Sequence, residues 1–241
     1  METSTIIKEV RSALEREPKI EYHAHRLKMD LESDGSLVLE GELPSIAAKK
    51  LALRHAAAVR GVPAIIDRLR ITPSKRMADG EIRDHVRDAL VQEPALDQCG
   101  IRTEHSGDWQ VFKQPTATPF CSIDVAVADG VVTLNGQVSS LSQKRLAGVL
   151  AWWVPGSRDL INGLEVAPVQ EDSDDEITEA VKLVLEKDPL VNAGRVRIRT
   201  RDSEVTLEGL VTNDTEKEMV EMDTWYVFGV DRVDNRLECE G

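Results

Sequence analysis

The sequence predicts an α+β fold of three tandem αββαβ units, each a small three-stranded sheet with two helices on one face. Three observations carry this prediction, and each occurs three times in the 241 residues. They are an apolar ladder ending in proline, an Asp-to-Gly hairpin block, and a helix-then-strand block in fixed register behind it.

The ladders come first. Ile6, Val10, Leu14 and Pro18 step by four, as do Ile82, Val86, Leu90 and Pro94, and Ile177, Val181, Leu185 and Pro189. Steps of four keep the apolar side chains on one side of a short helix. A proline preceded by Glu17, Glu93 or Asp188 stops it. Acidic residues at the starts (Asp79 with Glu81, and Asp174 to Glu176) suit the positive end of a helix.

The hairpin blocks run Asp34 to Gly41, Asp129 to Gly136 and Asp202 to Gly209, each spanning seven steps. Asp-Gly between alternating apolar runs signals a tight turn. The expected strand pairs are 27–31 with 37–39, 123–127 with 132–134, and 196–200 with 205–207. Four residues past each closing glycine stand Ser45, Ser140 and Asn213, all good helix N-caps. Twenty residues past it stand Gly61, Gly156 and Gly229. A last strand follows at 65–71, 160–166 and 233–239. The six repeated glycines (Gly41, Gly136, Gly209, Gly61, Gly156, Gly229) are expected to serve the backbone, through positive φ or close approach of chain segments. Asp67, Asn162 and Asn235 are expected to bond nearby backbone where the last strand begins.

The units therefore fall at 1–73, 77–168 and 174–241, and the second carries an insertion at about 101–120. In this reading the four-residue ladders and their register, not composition, choose three small domains over two ordinary ones. These segments resemble the bacterial OsmY and nodulation (BON) domain family. The resemblance rests on the Asp-Gly-x-Val-x-Leu-x-Gly hairpin and on the ending Gly229-Val230-Asp231-Arg232-Val233-Asp234-Asn235-Arg236-Leu237. The second copy follows closely from Gly156 to Val166. The first departs, with Pro63 inside the segment and Asp67 where the family favours Asn. The resemblance implies αββαβ binding modules without catalysis, attached to phospholipid membranes or envelope components, often under osmotic or general stress. For some relatives it implies potassium binding.

Composition narrows the partners. The net charge of −13 argues against nucleic acid, whose binding needs neutralised phosphates. The charge is graded: +3 over residues 1–78, −5 over 79–170 and −11 over 171–241. No apolar run approaches the length of a membrane span. Met1 to Lys8 lack the pattern of a secretory signal, so a cytoplasmic location is expected. Cys99, Cys121 and Cys239 have no metal or disulfide-framework spacing and are read as free thiols. His23, His25, His55, His85 and His105 show no metal-ligand spacing and are read as solvated. With no nucleophile elbow, phosphate loop or zinc motif, the sequence points to no enzyme, cofactor or metal site.

The candidate contact residues are aromatic and basic. Trp152-Trp153 and Trp225-Tyr226 occupy one repeat position, where the first copy has Ala57-Ala58. Adjacent helical residues diverge by about 100°. The pairs therefore either pack the second copy on the third or face a membrane or partner. Trp109, Phe112 and Phe120, with Pro115 and Pro119, mark the insertion as structural packing or dimerisation, a binding loop or a disordered segment, and the alternation around Trp109 to Phe112 allows an extra hairpin arm. Lys49, Lys50, Arg54 and Arg60 make the first copy's second helix basic. Glu216, Glu218, Glu221 and Asp223 make the third copy's acidic, so the two helices are either solvated faces or complementary ones. A lipid contact through Lys49, Lys50 and Arg54 is a further option. The function expected is a non-enzymatic binding or scaffold protein, stress-related and associating with phospholipid surfaces or a protein partner. The alternatives are a cytosolic ion sensor of the potassium type and a structural homo-oligomer joined by the aromatic pairs and the insertion.

Overall fold

A computed structural model describes residues 3–116 and 121–240. It divides into two compact units, Met1–Thr72 and Pro73–Gly241, with the second and third repeats together in the latter. Phe120 and Pro119 lie outside the described residues.

In the first unit the order is α1 (Thr3–Glu15), β1 (Lys28–Leu31), β2 (Leu37–Leu43), α2 (Ile46–Ala57) and β3 (Ile65–Ile71). The second repeat runs α3 (Asp79–Gln92), β4 (Gly100–His105), β5 (Asp108–Lys113), β6 (Ser122–Ala128), β7 (Val131–Val138), α4 (Leu141–Trp152), β8 (Asp159–Asn162) and β9 (Glu165–Val166). The third runs α5 (Asp174–Lys187), β10 (Val196–Arg201), β11 (Glu204–Val211), α6 (Asp214–Tyr226) and β12 (Arg232–Cys239).

The ladder residues form the buried side of α1, α3 and α5: Val10, Leu14, Val86, Leu90, Val181 and Leu185 are fully enclosed. Burying each such side chain contributes about 1.5–3 kcal/mol. The expected N-caps form, with Ser45, Ser140 and Asn213 accepting from the backbone N–H of Ala48, Gln143 and Glu216. In each repeat the hairpin pairs antiparallel, β1 with β2, β6 with β7 and β10 with β11, and the second helix crosses over to a parallel strand.

Two hairpin turns are tight. Asp129 and Gly130 have φ of 52° and 74°, and Asp202 and Ser203 have 51° and 61°, as a two-residue turn with the strands' own twist requires. The acidic helix starts do more than favour a helix end. Asp79 accepts from the Asp129 and Gly130 N–H groups at 2.9 and 2.8 Å, and Asp174 from those of Asp202 and Ser203 at 2.7 and 2.9 Å. Each carboxylate fastens its helix to its own hairpin turn.

The closing glycines sit inside the second strand, opposite the start of the first. Gly136 has φ 117°, and a Cβ there would stand 2.2 Å from the Ser122 carbonyl oxygen. Gly41 and Gly209 also have positive φ, as does Gly61, while Gly156 serves by close approach: a Cβ would meet Met77 and Ile82 within 2.9 Å.

The second repeat departs from a three-stranded sheet. Its sheet has six strands, ordered β5-β4-β6-β7-β8, with β9 also on β7. The insertion supplies β4 and β5 as a hairpin arm, with β4 parallel to β6. The expected last strand is broken at Gly163, which turns to donate its N–H to the Leu134 carbonyl; the other repeats carry Arg68 and Arg236 at this position. The cysteine reading is also corrected. Cys99 and Cys121 form a disulfide, immediately before β4 and β6, and Cys239 remains a free, exposed thiol. The pairing arises because parallel β4 and β6 start side by side, which brings together residues far apart in sequence.

Candidate interaction surface

The two aromatic pairs meet inside the second unit. Trp152 stacks on Tyr226, with centroids 5.7 Å apart and planes 15° from parallel. Trp225 is 2% exposed and Trp152 is buried. Trp153 donates its indole N–H to an Asp223 oxygen at 2.8 Å. These pairs thus pack the second repeat on the third, so they are not the part of the expected homo-oligomer contact that faces outward. Both rings of a pair are used because the second residue of each lies where its helix ends.

Around them is a polar seam. Arg145 on α4 is 1% exposed. It donates to the Phe228 carbonyl at 2.9 Å and to Asp172 at 2.5 Å, while its Nη1 finds no partner among the described residues. Lys187 on α5 pairs with the buried Glu93 at the end of α3, at 2.8 Å. Burial pushes the Asp223 carboxyl up to about 7; the Trp153 N–H opposes this, and the neighbouring Asp188 carboxyl adds to it. The Tyr226 phenol is likewise raised to about 12 by burial and then by Asp223. Sequence reasoning missed Arg145 and read Asp188 only as the residue before a helix-stopping proline. Of the α6 acids read as either a solvated or a complementary face, Glu216 and Asp223 are buried. Glu216 caps the Asn192 and Thr212 N–H groups.

In the first unit, Lys49 is 5% exposed, so it is withdrawn as a surface contact. Its ammonium pairs with Asp67 at 2.9 Å and donates to the Leu69 carbonyl at 2.9 Å. The same repeat position holds Lys144 and Lys217. There the strand residue is Asn162 or Asn235, whose amide donates to the lysine's backbone carbonyl at 2.9 or 3.3 Å. Asp67 has no amide to donate and takes the ammonium instead, which accounts for the first repeat's departure at this position. Lys50 is half-buried and Arg54 exposed.

The insertion leaves Trp109 and Phe112 outside. Trp109, Val111 and Phe112 are 46%, 48% and 41% exposed. Ile101, Ile123, Val125, Val132 and Leu134 point into the core under α3 and α4. Strand alternation therefore puts Arg102, Asp124, Trp109 and Val111 on the other side of the sheet. Arg102, bridged to Asp124, lies 5.5 Å from the Trp109 ring centroid, and Arg87 lies 4.3 Å from that of Phe112. Phe112 is the extra residue of a bulge between Val111 and Lys113, which turns it toward α3.

Among the described residues no group of His, Cys, Asp and Glu is placed to hold a metal ion. His55 lies 3.4 Å from Glu17, and His85 bonds the Glu81 carbonyl.

The BON domain model matches residues 2–73, 117–168 and 173–241. The chain belongs to the BON domain family. The match omits the second repeat's first helix and arm, although α3 occupies the place of α1 and α5. BON domains are generally non-catalytic and occur in stress-related and lipid-binding proteins. No curated protein matches the chain. Among solved structures, the chain is similar to the C-terminal domain of CdsD, a structural protein of the type III secretion system of Chlamydia trachomatis, at 14% identity over 100% of both chains, TM-score 0.25. It is also similar to the PrgH periplasmic domain at 11% identity, over 90% of this chain and 96% of that one, TM-score 0.24. At these scores neither bears on what this BON chain does.

Proposed function

We propose that the chain is a non-enzymatic binding and scaffold protein of tandem BON domains that associates with phospholipid surfaces through the arm of its second repeat. The observation that carries this reading is the exposure of Trp109 and Val111 on one side of the arm and of Phe112 on its helix side, while the other aromatic pairs are spent on internal packing. Large aromatics with arginines on their faces suit a boundary that is apolar on one side and anionic on the other. BON membership supports the lipid and stress setting. Lys50 and Arg54 of the first repeat add a second basic contact.

Co-sedimentation with anionic phosphatidylglycerol vesicles tests this. The protein is expected to pellet at low salt, less at high salt, and the Trp109→Ser/Phe112→Ser variant to stay in the supernatant. A wild-type protein that does not pellet at low salt overturns the reading.

A further inference from the structure

The sheet edges differ in how they are protected. An edge strand offers unpaired N–H and C=O groups to any passing strand, and charges or shortness normally blunt it. β1 carries Lys28 and Asp30, and β3 carries Asp67, Arg68 and Arg70. β10 carries Arg197, Arg199 and Arg201, and β12 carries Arg232, Asp234, Arg236 and Glu238. β8 is only four residues long. β5 is the exception. It is an outer strand of six residues, exposed along nearly all its length, with the uncharged run Trp109-Gln110-Val111-Phe112.

We propose that the edge of β5 pairs antiparallel with β5 of a second copy of this chain, making a dimer through one continuous sheet. The strand's own sequence selects this occupant. β5 starts on Asp108 and ends on Lys113, and the bulge at Phe112 puts both on the helix side of the sheet. Antiparallel pairing brings the Asp108 end of each copy toward the Lys113 end of the other, where Lys113 also pairs with its own Asp97 at 3.3 Å; parallel pairing would set like beside like. With Gln110 against Gln110 at the two-fold axis, each Trp109 lies opposite the other copy's Val111, on the side away from α3 and α4. Cross-strand aromatic and β-branched pairs of this kind stabilise a sheet. The dimer goes beyond the vesicle reading, and it doubles the exposed aromatic surface on one side.

Sedimentation velocity across protein concentration is expected to show a monomer–dimer equilibrium. Gln110→Lys and Gln110→Glu, each placing like charges opposite one another, should each weaken it about fivefold, and an equimolar mixture of the two should restore it. Gln110 is exposed, so neither change disturbs the fold, which circular dichroism verifies. In a Cys239→Ser background, Gln110→Cys should cross-link as a dimer under mild oxidation. A wild-type protein that stays monomeric at every concentration overturns the proposal, and so does a dimer indifferent to both charge variants. Vesicle pelleting is read separately, so a monomer that still pellets overturns the dimer alone.

Discussion

The first and third repeats share a blueprint and differ in what they do with it. Where the first has Ala57-Ala58, both exposed, the third has the buried Trp225 and then Tyr226, whose ring stacks on Trp152 of the second repeat. Where the third fastens helix to turn through Asp174, the first has Thr3 at the corresponding ladder position, and its hairpin loop is wider, closed by Gly35 and Ser36 bonding to Glu32. Where the third clamps its last strand with the Asn235 amide, the first uses the Lys49–Asp67 pair. The shared residues thus set the fold of each module. The residues that vary decide whether a module stands as its own unit or docks on a neighbour.

That comparison can be broken first at the seam. Trp225→Ala should cost about 3–5 kcal/mol, since it empties a fully enclosed site. Denaturant unfolding should show the loss in the transition of the second unit, with the first unit's transition unmoved. An equal loss in both would mean that the two units do not unfold separately.

The next effect is one of pH. Asp223 titrates at about 7 in the folded protein against an ordinary 3.8. The folded state holds this proton more tightly than the unfolded chain. Its stabilising contribution is therefore full below about 4 and is lost as pH rises to about 7. Asp223→Asn keeps an acceptor for the Trp153 indole and removes the buried charge. It should raise stability above pH 7 by on the order of 1–3 kcal/mol and flatten the slope between about 4 and 7. Thermal unfolding across pH measures both, and an unchanged slope would contradict the assignment.

The smallest effect sharpens the contrast of clamps. Asp67→Asn gives the first repeat the amide of the others. Stability should change by less than about 1 kcal/mol, because the new amide can reach the Lys49 carbonyl while the ammonium keeps the Leu69 carbonyl. A larger loss would show that the two clamps are not interchangeable.

Much of this was legible in the residues. The apolar ladders, the N-caps at Ser45, Ser140 and Asn213, and the positive φ at Gly136 and Gly209 follow from local spacing, which a single sequence displays. The site was less so. The aromatic pairs stood out by repeat position, but whether they turned inward depended on which modules touch. Arg145 and Asp223 are hidden among many charged residues, and only long-range packing buries them. Lys49 read as one of a basic cluster, because its partner Asp67 lies across a crossover. The Cys99–Cys121 pairing depended on the arm folding back parallel to β6, a topology that no spacing rule announces.

That bond closes a covalent ring that holds the exposed aromatic strand β5. A protease that cuts anywhere along the arm, between the two cysteines, produces two polypeptides but releases neither. The nicked protein still migrates as one molecule until a reductant opens the ring.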